Sequence, residues 1–174
     1  MSLNEPNPLA TPGGRANLFE RVKNIIIAPR TEWAVIEREP ATIQGLYVGY
    51  ACILAAIGPI ARFVGSLVWR SYLGAGGIVS GLVSALVSYL LSLGFVAVIA
   101  IVAELLAPQF GRRLTRIDAF KLIIYACTPA WLAGVFLIWW PLAPLTILGL
   151  YSFWLVYLGW QQLAKPTVAV PPAV

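Results

Sequence analysis

The residues able to do chemistry are few, and what is missing narrows the field first. The chain has no histidine, so a histidine base, a histidine metal ligand and a Ser-His-Asp arrangement are all unavailable. Cys52 and Cys127 stand alone in separate apolar runs without Cys-x-x-Cys spacing, a setting in which cysteine behaves as a small apolar residue. The cluster "GAGG" at 74–77 is not followed by Lys-Ser or Lys-Thr and so lacks a phosphate-cradling pattern. With no nucleophile and base pair, no metal set and no cofactor fingerprint, an enzyme is not expected.

Two features could still carry chemistry within a membrane. Carboxylates are costly in a span and tend to be functional there, which singles out Glu104. It falls near the end of a long apolar run, four residues before Pro108, where it can meet Arg112 or Arg113 of the following loop. A structural ion pair is therefore expected ahead of a proton or substrate role. The second feature is a row of small residues. Ser80, Ser84, Ser88 and Ser92 recur every four positions, Gly77, Gly81 and Ala85 adjoin them, and Gly45 and Gly49 repeat the spacing earlier. Such rows let helices approach closely and let hydroxyls bond across them. Packing within one chain is the favoured reading. The alternatives are a seam between two copies of the chain, or a small transporter or channel using Glu104 and the serine row, with Glu104, Ser84 and Ser88 as its candidate intramembrane polar residues.

The elements that must position these residues follow from composition. Of 174 residues 60% are hydrophobic and 11% charged, and the mean hydropathy is +0.83, which places the chain in a lipid bilayer. Its net charge of +5 does not indicate nucleic acid, because the Lys and Arg lie in short segments flanking apolar runs. Residues 1–17 have no charged start and apolar centre of the secretory kind. A hydrocarbon core about 30 Å thick needs roughly 20 apolar helical residues. Charge-free stretches supply four spans: about Ile43 to Ala61, a long helix from about Ile78, about Leu122 to Trp140, and Leu145 to Ala164. A turn at Trp139-Trp140-Pro141-Leu142-Ala143-Pro144 separates the last two.

Ten Lys and Arg fall on one side of these spans: Arg15, Arg21, Lys23, Arg30, Arg38, Arg112, Arg113, Arg116, Lys121 and Lys165. Only Arg62 and Arg70 fall on the other. Both termini are therefore expected in the cytoplasm. The segment before the first span reads as a collar on that face. Asn17 and Glu20 have capping-box spacing at the start of one short helix, with Leu18, Phe19, Val22, Ile25 and Ile26 on one side, and Pro29 ends it. Thr31 is expected to cap a second, with Trp33 and Ile36 dipping into the interface and Glu32, Glu37 and Arg38 facing water. The expected organisation is a flexible tail (1–16), the interfacial collar (17–39), a transmembrane domain (40–164) and a Pro-rich tail (165–174).

The run "RVKNIIIAPRTEWAVIEREPATIQGLYVGY", followed by an apolar span with Gly58-Pro59, and the later "DAFKLIIYACTPAWLAG" resemble bacterial members of the Yip family, over roughly residues 17 to 160. The resemblance implies a compact helical membrane protein, usually of five spans with a cytosolic N-terminus, in the bacterial inner membrane. Eukaryotic relatives are associated with membrane trafficking and prenylated Rab-type GTPases; for this chain the resemblance implies the fold and no activity. One departure stands out, since "KPTVAVPPAV" at 165–174 occupies the place where the family pattern leads to a fifth helix. Either the chain is truncated or this member differs. The expected fold class is an all-α integral membrane protein, a four-span bundle with N-terminal amphipathic interfacial helices. Its expected role is non-enzymatic, organising lipid or recruiting a membrane or cytosolic protein through Arg30, Trp33, Glu37 and Arg38 of the collar and Arg112, Arg113 and Arg116 of the second connection. No cofactor and no nucleic-acid partner is expected.

Overall fold

The structure, a computed structural model, describes residues 15–68 and 77–166. The expected flexible tail up to residue 14, Arg70, the Gly-rich residues 74–76 and residues 167–174 lie outside the described residues. Two short helices, α1 (Arg15–Ile27) and α2 (Pro29–Arg38), precede the membrane segments. Four helices long and apolar enough to cross a membrane follow: Ile43–Val68, Ile78–Phe110, Arg116–Ile138 and Trp140–Leu163. The all-α, four-span bundle expected from sequence is what forms.

The third span is the hub. In its most apolar stretch 61% of residues are buried within the protein, against 11–28% for the other three. The second span is apolar on all sides, with Leu82, Leu86, Leu90 and Val98 all exposed, as a helix does when lipid is its outer solvent. Two prolines sit at interruptions. Pro129 follows a break at Cys127, and Pro59 lies just after a break at Ala56. Pro129 has no N–H to give the carbonyl of Tyr125 four residues earlier. The Thr128 hydroxyl donates to that oxygen instead, at 2.7 Å.

Several boundaries differ from the sequence reading. The first span continues past Ala61 to Val68, leaving Arg62 exposed within it, where a long side chain can reach the headgroup region. Inside that span Tyr47–Ala51 form a π-helical turn. The fourth span starts at Trp140, not Leu145, because Trp140–Leu150 wind as a 3-10 helix before Tyr151–Leu163 turn α-helical. The turn between the last spans thus shrinks to extended Trp139. Helix α1 already runs from Arg15, so Asn17 lies inside its first turn and not at its cap. Pro29 ends α1 and also opens α2, a first-turn place where its missing N–H costs nothing. Thr31 is inside α2, donating to the Ala28 carbonyl at 2.9 Å, and does not cap it.

The glycines that matter for packing are mostly other than those the spacing suggested. Gly77 has nothing within 4 Å of where a Cβ would stand, and at Gly45 that atom would meet only the capping Thr42 hydroxyl of its own helix at 3.0 Å. Gly49 lies in the π-helical turn and lines a cleft described below. Gly81 does meet a neighbouring span, with the Phe63 ring 3.2 Å from where its Cβ would stand. The tight seam joins the first and third spans. A Cβ on Gly134 would come within 2.7 Å of the Gly58 backbone, and one on Gly65 within 2.6 Å of the Ile138 carbonyl oxygen.

Gly134→Val should therefore destabilise the bundle by about 1–3 kcal/mol, the usual cost of overpacking. Gly94→Ala, in open space within the second span, should be neutral or stabilise by up to about 1 kcal/mol. Thermal unfolding of the two variants in one detergent checks the contrast.

Candidate functional site at the polar end of the bundle

Among the described residues, the charged side chains other than Arg62 gather at one end. The fold brings α1 and α2, the connection between the second and third spans, and Lys165–Pro166 after the fourth span together there. Two two-residue strands, Arg112–Arg113 and Lys165–Pro166, pair antiparallel. Arg112 also donates to the Ala164 carbonyl at 2.7 Å.

The collar does not merely rest on this end; it is part of the core. Ile25, Trp33 and Ile36 are fully buried, and Leu18, Val22 and Ile26 pack against the core while Phe19 stays exposed. Trp33 meets Tyr125 edge to face at 6.5 Å between ring centroids. Its benzo edge faces Gly159 of the fourth span, where a Cβ would come within 2.7 Å of Cζ2. Trp33 and Ile36 are thus packing residues, not groups dipping into the interface, because the fourth span covers their side of α2.

Glu32, expected to face water, is also buried. Its Oε1 accepts a hydrogen bond from Arg21 Nη1 at 2.6 Å, and the other arm of the guanidinium is bound by Glu39. Arg21 additionally lies over the Tyr125 ring, 5.6 Å from its centroid. Burial works against the Arg21 charge, but the Tyr125 oxygen and the carboxylates of Glu39 and Glu32 outweigh it and raise its pKa further. Next to this cluster Lys121, from the third span, is buried. Its Nζ donates to the backbone carbonyls of Ile36, at 2.9 Å, and Glu39, at 2.6 Å. These oxygens close the C-terminal end of α2, where a helix has carbonyls without intrahelical partners. Deeper in the bundle the single Thr128 proton goes to Tyr125, so the Tyr50 hydroxyl donates to Thr128 Oγ1, at 2.8 Å. A cleft of about 520 Å³ opens onto this network, lined by Arg21, Glu39, Gly49, Tyr50, Lys121 and Tyr125 among others.

This arrangement is a clamp rather than a reaction centre. Lys121 spends its donors on carbonyls, the Thr128 hydroxyl completes a proline break, and Arg21 is held by two carboxylates. The residues foreseen from sequence divide around it. Glu37 accepts from Gln162 Nε2 at 2.6 Å and pairs with Lys165 at 3.1 Å. Arg30, Arg38 and Arg113 are exposed. Glu104 is paired, but with Arg116, at 3.0 Å, and not with Arg112 or Arg113; Arg112 is turned to the Ala164 carbonyl. The serine row does not converge on a path. Ser80 and Ser88 bond their own helix at Gly77 and Ala85, Ser84 is exposed, and only Ser92 reaches another span, accepting from Trp131 Nε1 at 3.1 Å.

Arg21, Glu32, Glu39, Tyr50, Lys121, Tyr125 and Thr128 were missed as a site by sequence reasoning. One signal was available: Lys121 in "DAFKLIIYA" is flanked by the apolar Ala119, Phe120, Leu122, Ile123 and Ile124, so a lysine buried there requires acceptors from elsewhere.

Removing the clamp should be costly. Arg21→Gln, which strands the Glu32 carboxylate, should destabilise the protein by about 3 kcal/mol, and Lys121→Met, which uncaps two carbonyls, by about 1–3 kcal/mol, both read by thermal unfolding. A pH effect is expected at Glu37, where the hydrogen bond from Gln162 and then the contact with Lys165 hold the carboxyl below its ordinary value of 4.5. A lowered folded pKa adds stability above the unfolded value and loses it as pH falls through the folded one. The difference in melting temperature between the parent and Glu37→Gln should therefore be present at neutral pH and vanish in strong acid.

No curated protein and no solved structure matches the chain at a significant level. The family model of the Yip1 domain matches residues 23–169, most of the chain and all four spans. By that match, the chain belongs to the Yip1 domain family.

Proposed function

We propose that the protein is a non-enzymatic membrane protein that organises its surroundings, or recruits a partner, through the polar end of its bundle. One observation carries this reading. Every described Lys, Arg, Asp and Glu except Arg62 lies between Arg15 and Glu39, between Glu104 and Lys121, or at Lys165. The rest of the four spans offers lipid an almost wholly apolar surface. Ion pairing then sorts the charges at that end. Glu32 and Glu39 are taken by Arg21, Glu37 by Lys165 and Glu104 by Arg116. Lys23, Arg30, Arg38 and Arg113 are left exposed. Glu20 is the one acid exposed beside them among the described residues, so the exposed charge is mainly basic, and basic surface residues favour an anionic leaflet.

The excess of Lys and Arg at this end supports placing it in the cytoplasm, with both chain ends on that side. The resemblance to bacterial relatives supports the inner membrane as its site. Residues 17–39 then form a docked collar whose exposed Phe19, Ile27 and Val35 reach the headgroup layer, and residues 40–164 form the transmembrane domain.

Photocrosslinking in native membranes tests recruitment, with the reactive group at Arg38 and, separately, at Arg113. Both are exposed at the polar end, and Arg62, exposed in the far half of the first span, serves as the control position. A discrete protein adduct at either position and none at Arg62 is expected. Lipid adducts alone at both would overturn partner recruitment.

A further inference from the structure

The cleft of about 520 Å³ beside the clamp holds a hydroxyl that the clamp does not use. Tyr125 is 8% exposed and lines that cleft. Its ring is held by Trp33, Tyr50 and the Arg21 guanidinium, yet its hydroxyl makes no hydrogen bond among the described residues. Nor is that oxygen enclosed, as Trp33 Nε1 and Ser152 Oγ are, so it opens into the space the residue lines. A tyrosine in a helix leans toward the helix N-terminus. In the third span that is the polar end, and the hydroxyl therefore faces back toward Lys121 one turn above.

Two charges of opposite sign border the same space. The buried Lys121 ammonium meets two carbonyls, has no carboxylate within ion-pair distance among the described residues, and keeps one of its three donors. Glu39 shares Arg21 with Glu32, so those three side chains carry one net negative charge. One oxygen of Glu39 is bound in that pairing, and the other is left as an acceptor. A simple anion here is attracted by Lys121 and repelled by Glu39. A zwitterion, with a donating cation outermost and an anion beneath it, satisfies both.

Depth and shape indicate what carries the zwitterion. Glu39 lies before the first span, Lys121 five residues into the third and Tyr125 four residues deeper, about 6 Å further along the helix. Thr42, Gly45 and Val48 form an exposed rim at three-residue intervals along the start of the first span. The cleft thus opens sideways, along a helix face turned to lipid, and Leu18, Ile36 and Leu46 give it apolar walls.

We propose that this cleft binds one zwitterionic phospholipid of the phosphoethanolamine class. The ammonium donates to Glu39, the phosphate accepts from Lys121 and the Tyr125 hydroxyl, and the acyl chains leave past Val48 into the bilayer. The site rests on the polar end facing a headgroup layer and not on the recruitment of a protein, so the two can fail separately.

Native mass spectrometry of the full chain in detergent tests it, with phosphatidylethanolamine, phosphatidylcholine and phosphatidylglycerol added in turn. Retention of one phosphatidylethanolamine in preference to both others is expected, because the ammonium of phosphatidylcholine has no N–H to give and phosphatidylglycerol has no cation. Tyr125→Phe removes only the unpartnered hydroxyl. It should weaken retention about tenfold, the scale of one hydrogen bond to a charged group, and leave the melting temperature nearly unchanged. Val48→Trp, at the exposed mouth, should also weaken retention without touching the clamp. Tyr157→Phe, which removes a hydroxyl on the fourth span outside the cleft, should change nothing. Equal retention of phosphatidylethanolamine and phosphatidylcholine, stronger retention of phosphatidylglycerol, or no loss in Tyr125→Phe would overturn the proposal. Displacement by millimolar glycerophosphoethanolamine would overturn it too, by showing a site for the free headgroup.

Discussion

A lysine buried in a span has to be solvated by protein, and the rest of this molecule's polar end is arranged around that demand. Lys121 sits five residues into the third span, surrounded by the buried Ala119, Phe120, Leu122 and Ile123. Its acceptors are the carbonyls of Ile36 and Glu39, which the end of α2 leaves without helical partners. Each side answers the other's unmet requirement. The collar is thereby fixed to the hub of the bundle, and Arg21, Glu32 and Glu39 can close their own cluster beside it.

The same logic of satisfying backbone groups runs deeper into the membrane segments. Pro129 breaks a hydrogen bond in the central helix, Thr128 repairs it, and Tyr50 ties that repair to the π-helical turn of the first span. Tyr47 and Tyr89 extend the pattern, donating to the carbonyls of Leu93 and Cys52 across the first and second spans. In lipid no water can serve these groups, so the π-helical turn and the break before Pro129 are stitched to neighbours. The irregularities lie where helices meet.

Much of this fold was legible in the sequence because its signals are local. An apolar run about as long as the hydrocarbon core is thick must be a span, and the Lys and Arg asymmetry groups the flanking segments on one face. Pro59 and Pro129 lie at breaks for a reason confined to the proline ring. The collar's two helices were visible from Pro29 and from their apolar spacing. Their burial was not, since the pattern that lays a helix on a membrane also docks it on a protein. Glu32 looked like a solvated charge for the same reason, its partner Arg21 lying on the preceding helix.

Four spans, their grouping of charge, the absence of histidine chemistry and membership of a membrane family were thus determined by the sequence alone, since each depends on composition or on intervals along the chain. Tertiary structure decided which polar residues meet. It paired Glu104 with Arg116 rather than its nearer candidates, made Gly58 and Gly134 the close contact in place of Gly45 and Gly77, and turned Lys121 from a boundary residue into a clamp. Such pairings depend on the rotation of each helix about its axis and on the tilt between helices. Both are fixed by packing against elements far away in the chain, and no local spacing records them.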